Sequence, residues 1–123
     1  MLFLDSNVLL WLMLRRRLTA NLVERLRVEP DLVVSAVTPW ELCIKLAAGR
    51  LPPPPTDLQD ELAANRIGVV PVSLDDSRLA AHLPPLHRDP FDRMIVAQVL
   101  NRQATLVTGD TLLAGYGVST LLV

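Results

Sequence analysis

Five short apolar runs, separated by segments of helical periodicity, constrain the fold of this 123-residue chain more than any other feature of its sequence. MLFL (1–4), LVVSAV (32–37), IGVVPVS (67–73), ATLVTGD (104–110) and YGVSTLLV (116–123) read as short buried strands with their turns. Pro71 marks the third run as an edge strand or a bulge, because proline donates no ladder hydrogen bond. Between the runs lie helices. After Asp5-Ser6-Asn7, VLLWLML (8–14) continues as a buried helix. LTANLVERLRV (18–28) gathers Leu18, Leu22, Val23, Leu26 and Val28 on roughly one helical face, and Pro30 closes it. Thr38 is placed to cap a helix with Pro39 at its first position, running to about Ala48 with Gly49 as its stop. Further helices are predicted near residues 57–65, 74–83 and 89–103. LPPPP (51–55) reads as a stiff turn in polyproline geometry. Strands alternating with helices at this spacing predict an α/β three-layer sandwich in one domain over residues 1–123: a central, mainly parallel, roughly five-stranded sheet flanked by helices.

In an open parallel sheet, ligands bind beyond the carboxyl ends of the strands, and four acids fall there. Asp5 follows the first strand, Glu41 lies just after the second, Asp92 lies in the first turn of the long helix, and Asp110 follows the fourth strand. TPWE (38–41) and DPFD (89–92) share one grammar of cap, proline, aromatic and acid. Two explanations are open. Thr38 and Glu41 form a capping box in the first, Asp89 caps the long helix with Asp92 favoured by its dipole, and Asp5 and Asp110 are caps as well. Such caps are typically worth ~1 kcal/mol each. The second treats the acids together: carboxylates crowded into one cleft repel and raise one another's pKa unless a cation lies between them. Hard oxygen ligands suit magnesium or manganese rather than zinc, and such ions are common equipment for phosphodiester hydrolysis. Capping suffices for each acid alone, whereas the convergence of all four favours the metal site.

The segments that carry these acids resemble a known family. LFLDSNVLLW (2–11), VSAVTPWELCIKLAAGRL (34–51), LPPLHRDPFDRMIVAQ (83–98), and LVTGD (106–110) followed by YGV (116–118) are similar to the PIN-domain family. Within it they resemble the VapC-like ribonuclease toxins of bacterial and archaeal toxin–antitoxin pairs, almost from end to end. The resemblance implies a metal-dependent endoribonuclease using one or two Mg2+ ions, with Mn2+ able to substitute, inhibited by a cognate antitoxin and often a homodimer. It places the acidic quartet on Asp5, Glu41, Asp92 and Asp110, with Asp89 as a nearby extra acid. Asp5 and Asp92 are the first choices as ligands, Glu41 a ligand or water-orienting base, and Asp110 a second-site or water-mediated ligand. Two departures stand out. Ser6-Asn7 occupies a place where this branch commonly has Thr-His, and Leu86-His87 one where it commonly has His-His. Ser6 keeps a hydroxyl able to orient a metal-bound water.

Composition narrows the alternatives. Twelve Lys and Arg against thirteen Asp and Glu leave a net charge of -1, so no global basic field advertises a nucleic-acid partner. Substrate contacts are therefore assigned locally, to Arg88 and Arg93 beside the acids and to Lys45, one turn beyond Glu41. For Lys45 an i,i+4 ion pair with Glu41 competes with a contact to phosphate. A single cysteine, Cys43, excludes an internal disulfide and a cysteine-based zinc site, and its apolar neighbours predict a core position. Trp11, Trp40 and Phe91 are expected in the core rather than stacked on bases, since stacking needs exposed rings. His87 reads as a solvated loop residue, His82 as structural, and Arg15, Arg16 and Arg17 as a solvated helix end. Asp5 and Asn7 interrupt the N-terminal apolar run, and no segment approaches ~18 uninterrupted apolar residues, so the expectation is a cytoplasmic protein with no membrane partner. A chain that is 50% hydrophobic and 20% charged hints at a covering partner. Two other functions fit less fully: a PIN nuclease of RNA processing or repair without an antitoxin, and a receiver-type magnesium-binding module. The second needs a lysine late in the chain, and the only lysine is Lys45.

Overall fold

The computed structural model describes residues 1–54 and 56–123. Five strands, β1 (Leu2–Leu4), β2 (Leu32–Ser35), β3 (Gly68–Val70), β4 (Thr105–Thr108) and β5 (Ser119–Leu122), form one sheet in the order β3-β2-β1-β4-β5. Every pairing is parallel. The proline after β3 is tolerated because β3 is an edge strand with one free side.

The connections are α1 (Ser6–Leu14), α2 (Ala20–Arg27), α3 (Val37–Ala47), α4 (Leu58–Ala64), α5 (Leu74–His82) and α6 (Pro90–Arg102), with a 3-10 helix over Thr111–Tyr116. That last element was not foreseen, since GDTLLAGYG carries turn residues but too few apolar positions to show a period. The strand alternation sorts the core into two clusters. Leu2, Leu4, Leu32, Val34 and Val107 pack with Val8, Leu9 and Met13 of α1, Leu26 of α2, Leu42 of α3 and Leu62 of α4. Phe3, Val33 and Leu106 face the other way, onto Ala80 of α5, Ile95, Val96 and Val99 of α6, and Leu113. A one-residue slip would exchange the two sets, so both packed faces fix the register.

Local signals place some boundaries differently from the sequence reading. Helix α3 starts at Val37, before Thr38, because Ser35 Oγ accepts the Val37 N–H at 3.1 Å and turns the chain at once. Thr38 is therefore inside the helix and Pro39 sits third, still in the first turn where amides lack intrahelical partners. The capping box forms elsewhere, at the start of α5, where Ser73 Oγ accepts from Asp76 N–H and Asp76 Oδ2 accepts from Ser73 N–H, both at 3.0 Å. Gly49 follows the C-cap Ala48 at φ +70, and Gly49 and Arg50 donate to the Leu46 and Lys45 carbonyls to close α3. Residues 52–54 are in neither helix nor strand, and Pro55 lies outside the described residues. No helix among the described residues is long and apolar enough to cross a membrane.

Candidate active site

β1 and β4 lie side by side, and their carboxyl ends bring Asp5 and Asp110 together. Asp5 is buried directly beyond Leu4, its N–H donating to Val107 O at 3.0 Å. It stands in the N-cap position of α1, yet its side chain caps nothing there; Oδ2 instead accepts from Thr108 Oγ1 at 2.7 Å. The same Thr108 oxygen accepts the Asp110 N–H at 3.0 Å, so one buried hydroxyl at the end of β4 ties the two acids. Thr108 escaped the sequence reading; its signal was a hydroxyl two residues before an acid at a strand end.

The remaining acids come from helix starts. Glu41 does not close a capping box on Thr38, because α3 begins too early for that pairing. It is 6% exposed, with Oε2 3.1 Å from Lys45 Nζ, while Oε1 finds no hydrogen-bond partner among the described residues. Asp89 caps α6 through Oδ1, which accepts the Phe91 N–H at 2.9 Å, and Asp92 follows in the first turn. Asp110 caps the 3-10 helix through Oδ1, which accepts the Leu112 N–H at 2.9 Å. Its other oxygen faces the cluster. Capping and convergence thus coexist, since a cap occupies only one carboxylate oxygen.

His87 is not a solvated loop residue. Its Nε2 lies 3.2 Å from Asp92 Oδ2 and 3.3 Å from Asp110 Oδ2. Asp89 N–H donates to Nδ1 at 3.1 Å, which makes Nδ1 the acceptor and leaves the ring proton on Nε2, directed at the two carboxylates. Tyr116 Oη accepts the His87 N–H at 2.8 Å and holds the loop in place. Ligand atoms of His87, Asp92 and Asp110 all lie within 4.8 Å of one another, a spacing compatible with one cation.

Electrostatics make the crowding visible. Burial pushes Asp5 above the usual carboxylate range; the Thr108 hydrogen bond and a Ser6 backbone bond oppose this, and the charges of Glu41 and Asp110 add to it. Asp92 is pushed up to about 7, first by burial and then by Asp5 and Asp89, with His87 lowering it and Glu41 raising it. The acids therefore feel one another, with too few donors to balance them. One buried carboxylate oxygen without a partner among the described residues, beside His87, Asp92 and Asp110 with ligand atoms close enough to share one ion, suits a hard divalent cation.

The other predicted residues separate. Ser6 is buried at the start of α1 and donates to Thr38 Oγ1 at 3.3 Å, joining α1 to α3 next to Asp5. Lys45 makes the ion pair with Glu41, and its position within α3 leaves the receiver-type module without its lysine. Arg88 is exposed and lines an open cleft of about 420 Å³ with Glu41, Lys45, Arg50 and Phe91. Arg93 departs from its assignment to substrate phosphate. Its guanidinium donates to the carbonyls of Ala80, Leu83, Pro84 and His87 at 2.8–3.3 Å, consuming its donors on the loop between α5 and α6. Two core expectations also fail. Cys43 and Trp40 are exposed, because the buried stripe of α3 runs through Thr38, Glu41 and Leu42 and both lie off it.

Residues 2–117 match the PIN domain family. Similar solved structures include FitAcB from Neisseria gonorrhoeae, with 21% identity and a TM-score of 0.67 over 98% of this chain and 96% of that one. VapBC2 from Rickettsia felis, bound to a DNA fragment from its promoter, is 14% identical with a TM-score of 0.72 over 99% and 98% of the two chains. A toxin–antitoxin complex from Klebsiella pneumoniae is 18% identical with a TM-score of 0.64 over 90% and 88%. At these identities the likeness is one of fold. No curated protein sequence matches this chain.

Proposed function

We propose, from the premise that this chain belongs to the PIN-domain family, a family of nucleases, that it is a metal-dependent endoribonuclease and the toxin of a toxin–antitoxin pair. The observation that carries the reading is the convergence of Asp5, Glu41, Asp92 and Asp110, which raise the pKa of Asp5 and Asp92, with Glu41 Oε1 buried and without a partner among the described residues. Asp5 and Asp92 are the principal holders of Mg2+ or Mn2+, with Glu41 and Asp110 completing a site for one or two ions. The ion, when bound, supplies an activated water and offsets charge on the phosphate in hydrolysis.

The chain's own residues divide the remaining work. Glu41 orients the attacking water and holds its proton, Ser6 and Asp89 shape the water shell around the acids, and Lys45 and Arg88 contact phosphate. External water, rather than the ribose 2′-hydroxyl, attacks, which leaves a 5′-phosphate and a 3′-hydroxyl. The partner half of the proposal is supported by the apolar composition and by neighbours whose structures are toxin–antitoxin complexes. A cognate antitoxin covers the toxin, and the toxin itself forms a homodimer.

The test is cleavage of a total RNA preparation by purified chain with Mg2+, with Mn2+, and with a chelator. Cleavage with either ion, none with chelator, and ends open to a 5′-phosphate-dependent exonuclease are expected; 2′,3′-cyclic phosphate ends would contradict the mechanism. A short neighbouring gene encoding a DNA-binding protein is expected for the toxin role, and its absence would favour a PIN nuclease of RNA processing.

A further inference from the structure

The aromatic residues of TPWE and DPFD meet. Trp40 and Phe91 pack edge to face, with ring centroids 5.2 Å apart and planes at 66°. Each precedes a site acid, so the pair joins the starts of α3 and α6 beside the cluster. Phe91 is half-buried, whereas Trp40 is 61% exposed. An indole of this size is normally covered by protein, and here its edge contact to Phe91 leaves most of it open.

The surroundings say what covers it. The cleft that Phe91 lines also contains Lys45, Arg50 and Arg88, with Ile44 exposed on its wall. Its acids are Glu41, already paired with Lys45, and Asp89, whose Oδ1 caps α6. Two guanidiniums, Arg50 and Arg88, thus face the cleft without an ion-pair partner among the described residues, in a chain of net charge -1. An exposed ring packed on Phe91, itself a wall of the cleft that holds these forked cations, matches a polyanion with flat faces. Duplexes hide those faces and single strands offer them.

We propose that Trp40, backed by Phe91, is a stacking platform for an unpaired base, and that Arg50 and Arg88 hold the phosphates on either side of it. The platform rests on the ribonuclease reading and deepens it: the nucleotide stacked on Trp40 lies next to the strand segment delivered to Glu41.

The experiment uses the Asp92→Asn chain with Mg2+, to permit binding without turnover, and a ten-nucleotide fluorescein-labelled RNA, single-stranded or in a duplex. Anisotropy is expected to show preference for the single strand, and Trp40→Ala is expected to weaken its binding roughly 5- to 100-fold. Trp40→Phe should restore most of the loss, and Arg50→Ala should lower the salt dependence. With Trp11→Phe making Trp40 the sole tryptophan, saturable quenching of its emission by the single strand is expected. Equal binding by Trp40→Ala, or equal preference for the duplex, overturns the platform. So does a change in sedimentation of Trp40→Ala without a change in RNA binding, which would assign the ring to a protein interface. Metal-dependent cleavage by the unsubstituted chain, measured in parallel, separates failure of the platform from failure of the nuclease reading.

Discussion

Each site acid is asked to satisfy the backbone and the site at once, and the outcome differs by residue. Asp110 divides its two oxygens between a cap and the cluster, while Asp5 gives up capping altogether for Thr108. Asp92 has the clearest consequence in solution. Its folded pKa of about 7 stands above the ordinary 3.8, so between those values the folded state binds more protons than the unfolded one. Stability of the metal-free chain is therefore predicted to fall as pH rises from about 4 to 7, and Asp92→Asn should remove most of that slope. Its gain at neutral pH should be about 2–4 kcal/mol, read from denaturant melts in chelator. His87 makes a second prediction. Its Nε2–H lies between Asp92 and Asp110 and competes with a cation, since ligation through Nε2 would move the proton onto the Nδ1 that already accepts from Asp89 N–H. His87→Ala should tighten Mn2+ binding several-fold by titration calorimetry; weaker binding would make His87 a ligand instead.

At the scale of elements, the unit that presents the site is the α5–α6 hairpin and its loop. Asp76, 1% exposed, accepts from Arg102 Nη1 at 3.0 Å and Nη2 at 3.1 Å and from Asn101 at 2.9 Å, locking α5 to α6. Burial alone would raise its pKa, yet Arg102, Asn101 and Ser73 together hold it well below the usual range. This lock is fully present above the ordinary carboxylate pKa and is lost as pH falls below it. Asp76→Ala leaves Arg102 uncompensated and is predicted to cost about 3–5 kcal/mol in a chemical melt. Arg93 sets up a comparison with Arg88. Removing Arg93 leaves loop carbonyls without their donor, so Arg93→Ala should destabilise the chain by about 1–3 kcal/mol while leaving the salt slope of RNA binding unchanged. Arg88→Ala should leave stability unchanged and reduce that slope by roughly 1. The reverse pattern would return Arg93 to the substrate. Adjacency to Asp92 in the helix does not reveal that the Arg93 guanidinium crosses to the carbonyls of Ala80, Leu83, Pro84 and His87.

For the whole molecule, the legible part was the succession of short apolar runs and helical segments. It predicts a mainly parallel sheet packed on both faces, and the two core clusters lie on those faces. The strand-end position of Asp5, Glu41, Asp92 and Asp110 followed from the same pattern. What the sequence hid depended on choices between nearly equal local partners. Ser35 displaced Thr38 as the helix starter, which released Glu41 from the backbone, and the buried stripe through Thr38, Glu41 and Leu42 left Trp40 and Cys43 outside. The Thr108 bond to Asp5 spans 103 residues and the Tyr116 bond that holds His87 spans 29, beyond any local pattern.

On this reading the acids do chemistry on RNA and do not merely start helices. Transcriptome-wide mapping of 5′ ends after brief induction in a bacterial host, comparing the wild-type chain with Asp92→Asn, tests it most directly. New 5′-phosphate ends are expected with the wild type and should vanish with the variant. Identical maps from two folded proteins that bind manganese equally would contradict that reading.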